Sequence, residues 1–228
     1  LKPLLYAGMQ ESGELLPTSL VPDIPTRFPG FTPKNFDESY SGAVPADEAL
    51  SQSLNIPAVS MLRKYTPGRF LELLRLTGFT SFRLPADHYG LSLILGGGET
   101  SLWQLAGVYA SLSRVLGRYS KERKYLTGDY HPPVLLCEEA DRKPVKEDEN
   151  PPLSAASIWL TYEALRKVNR PESEAGWQYF ASTPGLAWKT GTSFGFRDAW
   201  AVGATPSYVI AVWAGNADGE GRPGLTGV

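Results

Sequence analysis

The sequence has little of several features that would decide its class at once. Its one cysteine, Cys137, cannot form an internal disulfide, so cysteine content leaves the compartment open. No apolar run approaches the ~20 residues of a membrane-spanning helix. The formal net charge of -2 gives no reason to expect nucleic acid or an anionic membrane surface as a partner. His88 and His131 match no metal-ligand motif, so we expect no metal.

What the chain does have is the composition of a globular protein. It contains 228 residues, of which 42% are hydrophobic and 20% charged, so disordered and fibrous classes are excluded. It begins with Leu1 rather than methionine, shows no signal peptide and ends abruptly at Val228. We therefore interpret it as a piece of a longer protein and expect residues 1–228 to form a single domain.

Glycine and proline divide the chain into helical and irregular parts. Apolar periodicity and capping residues predict helices over residues 1–9, 47–53, 57–65, 67–76, 102–117 and 154–168. The five prolines between residues 16 and 42 indicate an irregular, partly extended segment. Five tryptophans on predicted helices and strands are interpreted as packing residues: Trp103, Trp159, Trp188, Trp200 and Trp213.

The last part of the chain has the pattern of a small β-sheet. Residues 186–193, 199–204 and 208–214 are short runs rich in valine, isoleucine, tryptophan and tyrosine. The connections between them are too short for helical crossovers, so the strands should be antiparallel. A mainly helical part over residues 1–170 followed by strands within residues 182–216 predicts an α+β fold.

The most informative string is Lys189-Thr190-Gly191-Thr192-Ser193 at the end of a predicted strand. If this strand lies at a sheet edge, it can pair with an extended peptide, and Gly191 lets the peptide backbone come close. Alternation places Lys189 and Gly191 on one face, with Thr190 and Thr192 on the other. Taken alone, the string also fits a strand end that carries a solvated lysine.

Two further segments are weaker when each is taken alone. Ser53-Leu54-Asn55 lies between two predicted helices, where Ser53 could end one helix and Asn55 cap the next. Lys2 lies in a largely apolar N-terminal stretch. A lysine desolvated there would lose basicity and could accept a proton near neutral pH.

Together and in this order, the three segments resemble the signature of penicillin-binding proteins, S-x-x-K, S-x-N and K-T-G. Residues 35–42, 49–59 and 95–100 are similar to the family's stretches around its second motif and its glycine-bearing loop. The chain resembles the transpeptidase domain of class A, bifunctional members, and most closely their 1C branch. The resemblance runs almost from end to end and is weakest over residues 119–152.

The resemblance implies a β-lactamase/transpeptidase-like fold, in which an antiparallel sheet is flanked by a mainly helical subdomain. It also implies an incomplete fragment, without the family's early strands and final helix. Lys2 matches the last residue of the first motif, so the nucleophilic serine would lie two residues before Leu1. The 228-residue chain would then be inactive, and its exposed strand edges would favour oligomers.

The family's site residues carry over to the matching positions of this sequence. Lys2 would act as general base, Ser53 would relay a proton, and Asn55 would orient the substrate. The strand would bind the terminal carboxylate of a D-Ala-D-Ala stem peptide through Lys189 and the hydroxyls of Thr190 and Thr192, with Gly191 leaving room. The backbone N–H of Thr192 would join that of the serine in an oxyanion hole.

The implied reaction is a D,D-transpeptidation through a serine acyl-enzyme, with stem peptides as donor and amine acceptor and β-lactams as acylating inhibitors. The resemblance calls for no metal, organic cofactor or nucleic acid. It implies a membrane-anchored parent fused to a glycosyltransferase domain, at the outer face of the cytoplasmic membrane in the cell envelope. This is the periplasmic side in a Gram-negative cell.

Other functions stay open at this point. A D,D-carboxypeptidase or a β-lactamase would send the acyl group to water, although no residue supplies the deacylating glutamate of a class A β-lactamase. A non-catalytic domain could instead bind peptidoglycan or β-lactam as a sensor or scaffold. The fragment could also be a stable piece without activity of its own. The residue two before Leu1 in the parent distinguishes an enzyme from a binding domain.

Overall fold

Helices and two antiparallel sheets make up the computed structural model, which describes residues 1–28, 31–136, 145–168 and 185–227. The helices are α1 (Lys2–Glu11), α2 (Ala46–Ser51), α3 (Asn55–Tyr65), α4 (Pro67–Leu76), α5 (Ala86–Tyr89), a 3-10 helix (Gly90–Leu95), α6 (Leu102–Glu122) and α7 (Ala155–Arg166). The strands are β1 (Leu20–Asp23), β2 (Gly42–Pro45), β3 (Ala187–Thr192), β4 (Asp198–Ala204) and β5 (Val209–Gly215). The predicted α+β class is confirmed.

The larger sheet has the predicted antiparallel order β3-β4-β5. Its register pairs Lys189 with Val202 and Val202 with Ala211, so these three residues share one face. Helices α6 and α7 pack against this side, where Lys189 and Val202 are buried. On the opposite face, Ile210 and Val212 are exposed.

The first strand of the smaller sheet lies in the segment for which the sequence indicated irregular structure, and the second begins at its end. β1 pairs antiparallel with β2, and Val21 lies opposite Val44. Both valines are buried in the core. The sequence did not predict this pair because Pro22 and Pro45 are themselves paired residues, and proline is uncommon in strands. The two prolines are tolerated here because a short two-stranded sheet needs few ladder hydrogen bonds.

Helix α1 lies at the centre of the helical part. Its residues from Pro3 to Met9 are all buried, and it packs against α2, α3, α4 and α7. Gly8 permits the close approach of α4, because a Cβ atom there would lie 2.5 Å from Cδ2 of Leu73 and 3.0 Å from the hydroxyl of Tyr65. The helix thereby holds its first residue, Lys2, at a fixed position beside the sheet.

The predicted helix starts are mostly confirmed. Thr66 caps α4 by accepting a hydrogen bond from the N–H of Arg69, and Ser101 caps α6 through the N–H of Gln104. The side chain of Gln104 does not close a capping box with Ser101, since its Oε1 accepts from the N–H of Thr80 instead. Helix α6 also continues past Gly117 to Glu122.

The packing interpretation is wrong for three of the tryptophans. Trp103 is 50% exposed, Trp159 is 54% exposed and Trp213 is 37% exposed. The buried face of α7 includes Ile158, Thr161 and Leu165, and Trp159 lies outside this face.

Of the helices that the structure describes, none is both long and apolar enough to cross a membrane.

Candidate active site

Lys2 is the first residue of α1, and its ammonium group meets the link between α2 and α3. Its Nζ donates to Oδ1 of Asn55 at 2.6 Å and to the carbonyl oxygen of Ser53 at 2.7 Å. The hydroxyl of Ser53 lies 3.4 Å from the same nitrogen. The structure therefore brings together three of the residues that the sequence analysis singled out, from positions more than fifty residues apart.

The link takes this shape because α2 and α3 are separated by a tight turn. The N–H of Ser53 donates to the carbonyl of Leu50, and the N–H of Leu54 donates to that of Ala49. Ser53 adopts a left-handed conformation with φ 60°. Asn55 does not cap the next helix, which was the alternative interpretation of the sequence, because the N-cap position falls on Leu54.

Asn55 is instead held by both ends of its side-chain amide. Its Oδ1 accepts from Lys2, and its Nδ2 donates to the carbonyl oxygen of Lys34 at 2.8 Å. Its backbone N–H donates to Oδ1 of Asn35 at 2.9 Å. The sequence analysis quoted Asn35 only within a stretch of family resemblance and gave it no role. One signal for the role of Asn35 was present in the sequence. Leu54, which precedes α3, has no side-chain acceptor for the first N–H groups of that helix, so another residue must supply one.

On the other side of the site, β3 carries Lys189. This side chain is 8% exposed, and its Nζ donates to the carbonyl oxygen of Thr190 at 2.9 Å. Burial lowers the pKa of Lys189 to about 8. Burial, and then the charge of Lys189, lower the pKa of Lys2 to about 7. Two ammonium groups thus lie in one desolvated region, and Lys2 can act as a base near neutral pH.

The end of β3 is open to a ligand at Gly191. The nearest atom to a Cβ added at this glycine is Cβ of Trp200, at 3.9 Å. Thr192 follows, and its Oγ1 accepts from the N–H of Gly227 at 3.1 Å. In the described ranges β3 pairs with β4 alone, so the other edge of the strand can accept an extended chain by backbone hydrogen bonding.

The arrangement suits a carboxylate-bearing peptide better than a metal. Two lysines supply positive potential, Ser53 a hydroxyl and β3 a strand edge with nearby threonines. Within the part of the chain that the structure describes, no group of three or more histidine, cysteine, aspartate or glutamate side chains could hold a metal ion. Cys137 lies outside the described residues.

Comparisons with known proteins find relatives for this chain. No protein-family model matches it. It is 36% identical over 219 residues to penicillin-binding protein 1C of Escherichia coli (strain K12), covering 96% of this chain and 26% of that protein. It is 30% identical over 223 residues to penicillin-binding protein 1A of Neisseria meningitidis, and the match covers 94% of this chain and 27% of that protein. The chain thus spans about a quarter of the length of these curated relatives.

Solved structures share the fold. Penicillin-binding protein PonA1 from Mycobacterium tuberculosis matches with a TM-score of 0.71 and 22% identity, over 96% of this chain and 59% of that one. A second structure of PonA1, in complex with penicillin V, matches equally well, with a TM-score of 0.71. Penicillin-binding protein 1A from Haemophilus influenzae has a TM-score of 0.69 and 21% identity, over 99% of this chain and 39% of that one.

Proposed function

The chain is homologous to penicillin-binding proteins 1C and 1A and has the fold of penicillin-binding transpeptidase domains, and from this premise we propose that it is part of a serine-type D,D-transpeptidase acting on peptidoglycan. The resemblance to class A members and to their 1C branch is thereby confirmed. The observation that supports the activity most directly is the contact of Lys2 with Ser53 and Asn55, beside the buried Lys189.

The nucleophile in this proposal is a serine two residues before Leu1 in the parent protein, meaning the longer protein that contains this chain. A serine there would be three residues before Lys2, on the same side of a continuous helix. Lys2 would take the proton of that serine, a role that its pKa of about 7 supports. The 228-residue chain, without this serine, would form no acyl-enzyme.

The other side chains would bind the substrate and move its protons. Ser53 would relay a proton from Lys2 to the leaving amine, since its hydroxyl lies 3.4 Å from Lys2 Nζ. The fixed amide of Asn55 would orient the stem peptide. Lys189, with the hydroxyls of Thr190 and Thr192, would bind the terminal carboxylate of D-Ala-D-Ala. Gly191 would let the peptide backbone approach the edge of β3.

The reaction would proceed in two acyl transfers without a metal or an organic cofactor. The serine hydroxyl attacks the penultimate D-alanine carbonyl, the peptide C–N bond breaks, and the terminal D-alanine leaves with the transferred proton. The amine of a second stem peptide then attacks the ester and restores the serine. The N–H groups of Thr192 and of the serine would stabilise the oxyanion in both steps. A β-lactam would acylate the same serine.

The remaining parts of the proposal concern the parent protein. We place it at the outer face of the cytoplasmic membrane in the cell envelope, anchored in that membrane and fused to a glycosyltransferase domain. The homology to penicillin-binding proteins 1C and 1A, of which the chain spans about a quarter, supports this placement.

A labelling experiment would test the function. Three proteins are incubated with a fluorescent penicillin and analysed by denaturing gel and intact mass: the 228-residue chain, the parent protein, and a parent variant with alanine in place of the upstream serine. We expect a covalent adduct on the parent alone. If the folded parent carries no adduct, the acyl-enzyme is disproved in favour of a non-catalytic binding domain. Products then separate the enzymes, with cross-linked dimers for a transpeptidase and free D-alanine for a carboxypeptidase.

A further inference from the structure

A buried polar pair lies beneath the start of α3. Asn35 is 3% exposed, and Asp23, at the end of β1, is fully buried at 0%. The Oδ1 atom of Asn35 accepts from the N–H of Asn55 at 2.9 Å and from that of Ile56 at 3.3 Å. Buried polar side chains require partners, and here the partners are the first two N–H groups of a helix that carries a candidate site residue.

The contact meets a need that the local sequence creates. The first N–H groups of an α-helix have no partner within the helix, and a polar N-cap side chain normally supplies one. The N-cap of α3 is Leu54, whose side chain makes no such bond. Asn35 supplies the missing acceptor from 20 residues away in sequence.

The amide of Asn35 is fixed in one orientation. Its Nδ2 donates to Oδ1 of Asp23 at 2.7 Å and to the carbonyl oxygen of Ser39 at 2.9 Å. The other carboxylate oxygen of Asp23 accepts from the N–H of Ser41 at 2.8 Å. A reversed amide would set its NH2 group against the N–H groups of α3 and its oxygen against Asp23. Asp23 therefore keeps the oxygen of Asn35 directed at α3.

The same short segment also fixes the side chain of Asn55. The carbonyl oxygen of Lys34, the neighbour of Asn35, accepts from Nδ2 of Asn55. This contact leaves Oδ1 of Asn55 facing Lys2 Nζ, at 2.6 Å. A chain of hydrogen bonds thus runs from Asp23 through Asn35 and Asn55 to Lys2.

We propose that Asn35, oriented by Asp23, is a positioning residue for the acyl-transfer reaction, fixing Asn55 and through it the amine of Lys2 without touching the substrate. The inference rests on the proposed function of the site. Its consequence is kinetic, since a catalytic group displaced by about 1 Å can lose up to ~10²-fold in rate. Asn35 should therefore affect the acylation step more than the binding of the ligand that precedes it.

The experiment compares two variants of the parent protein that each remove a helix-capping side chain. Asn35→Ala removes the acceptor at α3, whereas Ser101→Ala removes the cap of α6, an acceptor for the N–H of Gln104. Acylation by a chromogenic β-lactam is followed over a concentration series, which separates the acylation rate constant from the dissociation constant. We expect Asn35→Ala to lower the rate constant by about 10- to 100-fold and to change the dissociation constant less than about threefold. Ser101→Ala should leave both unchanged.

A second variant covers the case in which Asn35→Ala does not fold. The double variant D23N/N35D exchanges the two side chains, so that an oxygen still faces α3 and an amide still donates across the pair, while the carbonyl oxygen of Ser39 loses its donor. It should acylate within about tenfold of the parent protein. A folded Asn35→Ala protein with an unchanged rate constant would overturn the inference, and so would a folded double variant that fell more than about 100-fold. Absence of acylation in the unmodified parent would instead disprove the proposed function.

Discussion

Lys2, on the helical side of the site, bonds to two residues from a different part of the chain, whereas Lys189, on the strand side, bonds to the carbonyl group of its own neighbour. The partners of Lys2 are fixed in turn, because Asn55 is held by Lys34 and Asn35. The helical side is therefore organised before any ligand arrives. The strand side keeps an edge and an exposed glycine at which a ligand backbone can bind.

The glycines show the same contrast between the two regions. Gly8 in α1 is buried against α4, and a Cβ atom there would press on Leu73 and Tyr65. Gly191 in β3 has its nearest neighbour at 3.9 Å from the corresponding position. One glycine is needed for packing, and the other leaves space. Substitutions at these two glycines test whether the helical side is closely packed and the strand side is open.

The largest expected effect is the loss of the base. In the parent protein, Lys2→Ala should lower the acylation rate constant by about 10²- to 10⁴-fold, the usual contribution of a general base. Lys2→Arg should lose as much, because a guanidinium keeps its proton at neutral pH. Stopped-flow measurement of β-lactam acylation checks both, with Lys121→Ala in the exposed last turn of α6 as the control. An Arg variant with the original rate would exclude Lys2 as the base.

The next prediction uses Gly8→Ala and Gly191→Ala as a matched pair that distinguishes a role in packing from a role in ligand binding. Gly8→Ala should lower the free energy of unfolding by about 1–3 kcal/mol, because the added methyl overpacks the contact between α1 and α4. Gly191→Ala should change it by less than about 0.5 kcal/mol. Urea denaturation of the 228-residue chain measures both values.

The same two variants in the parent protein should reverse this order in ligand binding. The methyl of Gly191→Ala would stand where a peptide or β-lactam approaches β3, so its affinity for a β-lactam should fall while that of Gly8→Ala stays unchanged. Equal destabilisation by the two substitutions would contradict the contrast between a packed helical side and an open strand side.

The features that the sequence predicted well are those that depend on neighbouring residues. Thr66 before Pro67 predicts the start of α4, and the short links between the last three strands predict their antiparallel order. The proposed site residues came from the resemblance to a known family, which rests on three short motifs and their order along the chain.

The features that the sequence did not predict depend on distant partners. The pairing of β1 with β2 joins residues about twenty positions apart across a proline-rich segment. The role of Asn35 follows only when Leu54 is known to stand at the N-cap of α3, and Trp159 could not be assigned outward without knowing which stripe of α7 is buried. Tertiary packing decides such cases, and local propensity does not.

The smallest expected effect concerns pH and links the two sides of the site. With the pKa of Lys2 at about 7, its neutral fraction, and with it the acylation rate, should rise about tenfold from pH 5 to 6 and level off above pH 8.

The same shift in the pKa of Lys2 affects stability. The unfolded lysine has a pKa of 10.5, so between pH 7 and 10.5 the unfolded state binds more protons than the folded state. The free energy of unfolding should therefore gain a contribution from Lys2 as the pH rises through that window, and none below it.

Lys189→Met makes this prediction specific to the pairing of the two lysines. Removing the charge of Lys189 removes one of the causes that lower the pKa of Lys2, so the midpoint of the acylation profile should move to higher pH even though the variant acylates more slowly. Burial, the larger cause, is retained, so the midpoint should stay below the pKa of 10.5 of an ordinary lysine. Acylation rates measured from pH 5 to 10 give the midpoint. A midpoint that stays in place or moves to lower pH would show that the strand side does not tune the base on the helical side.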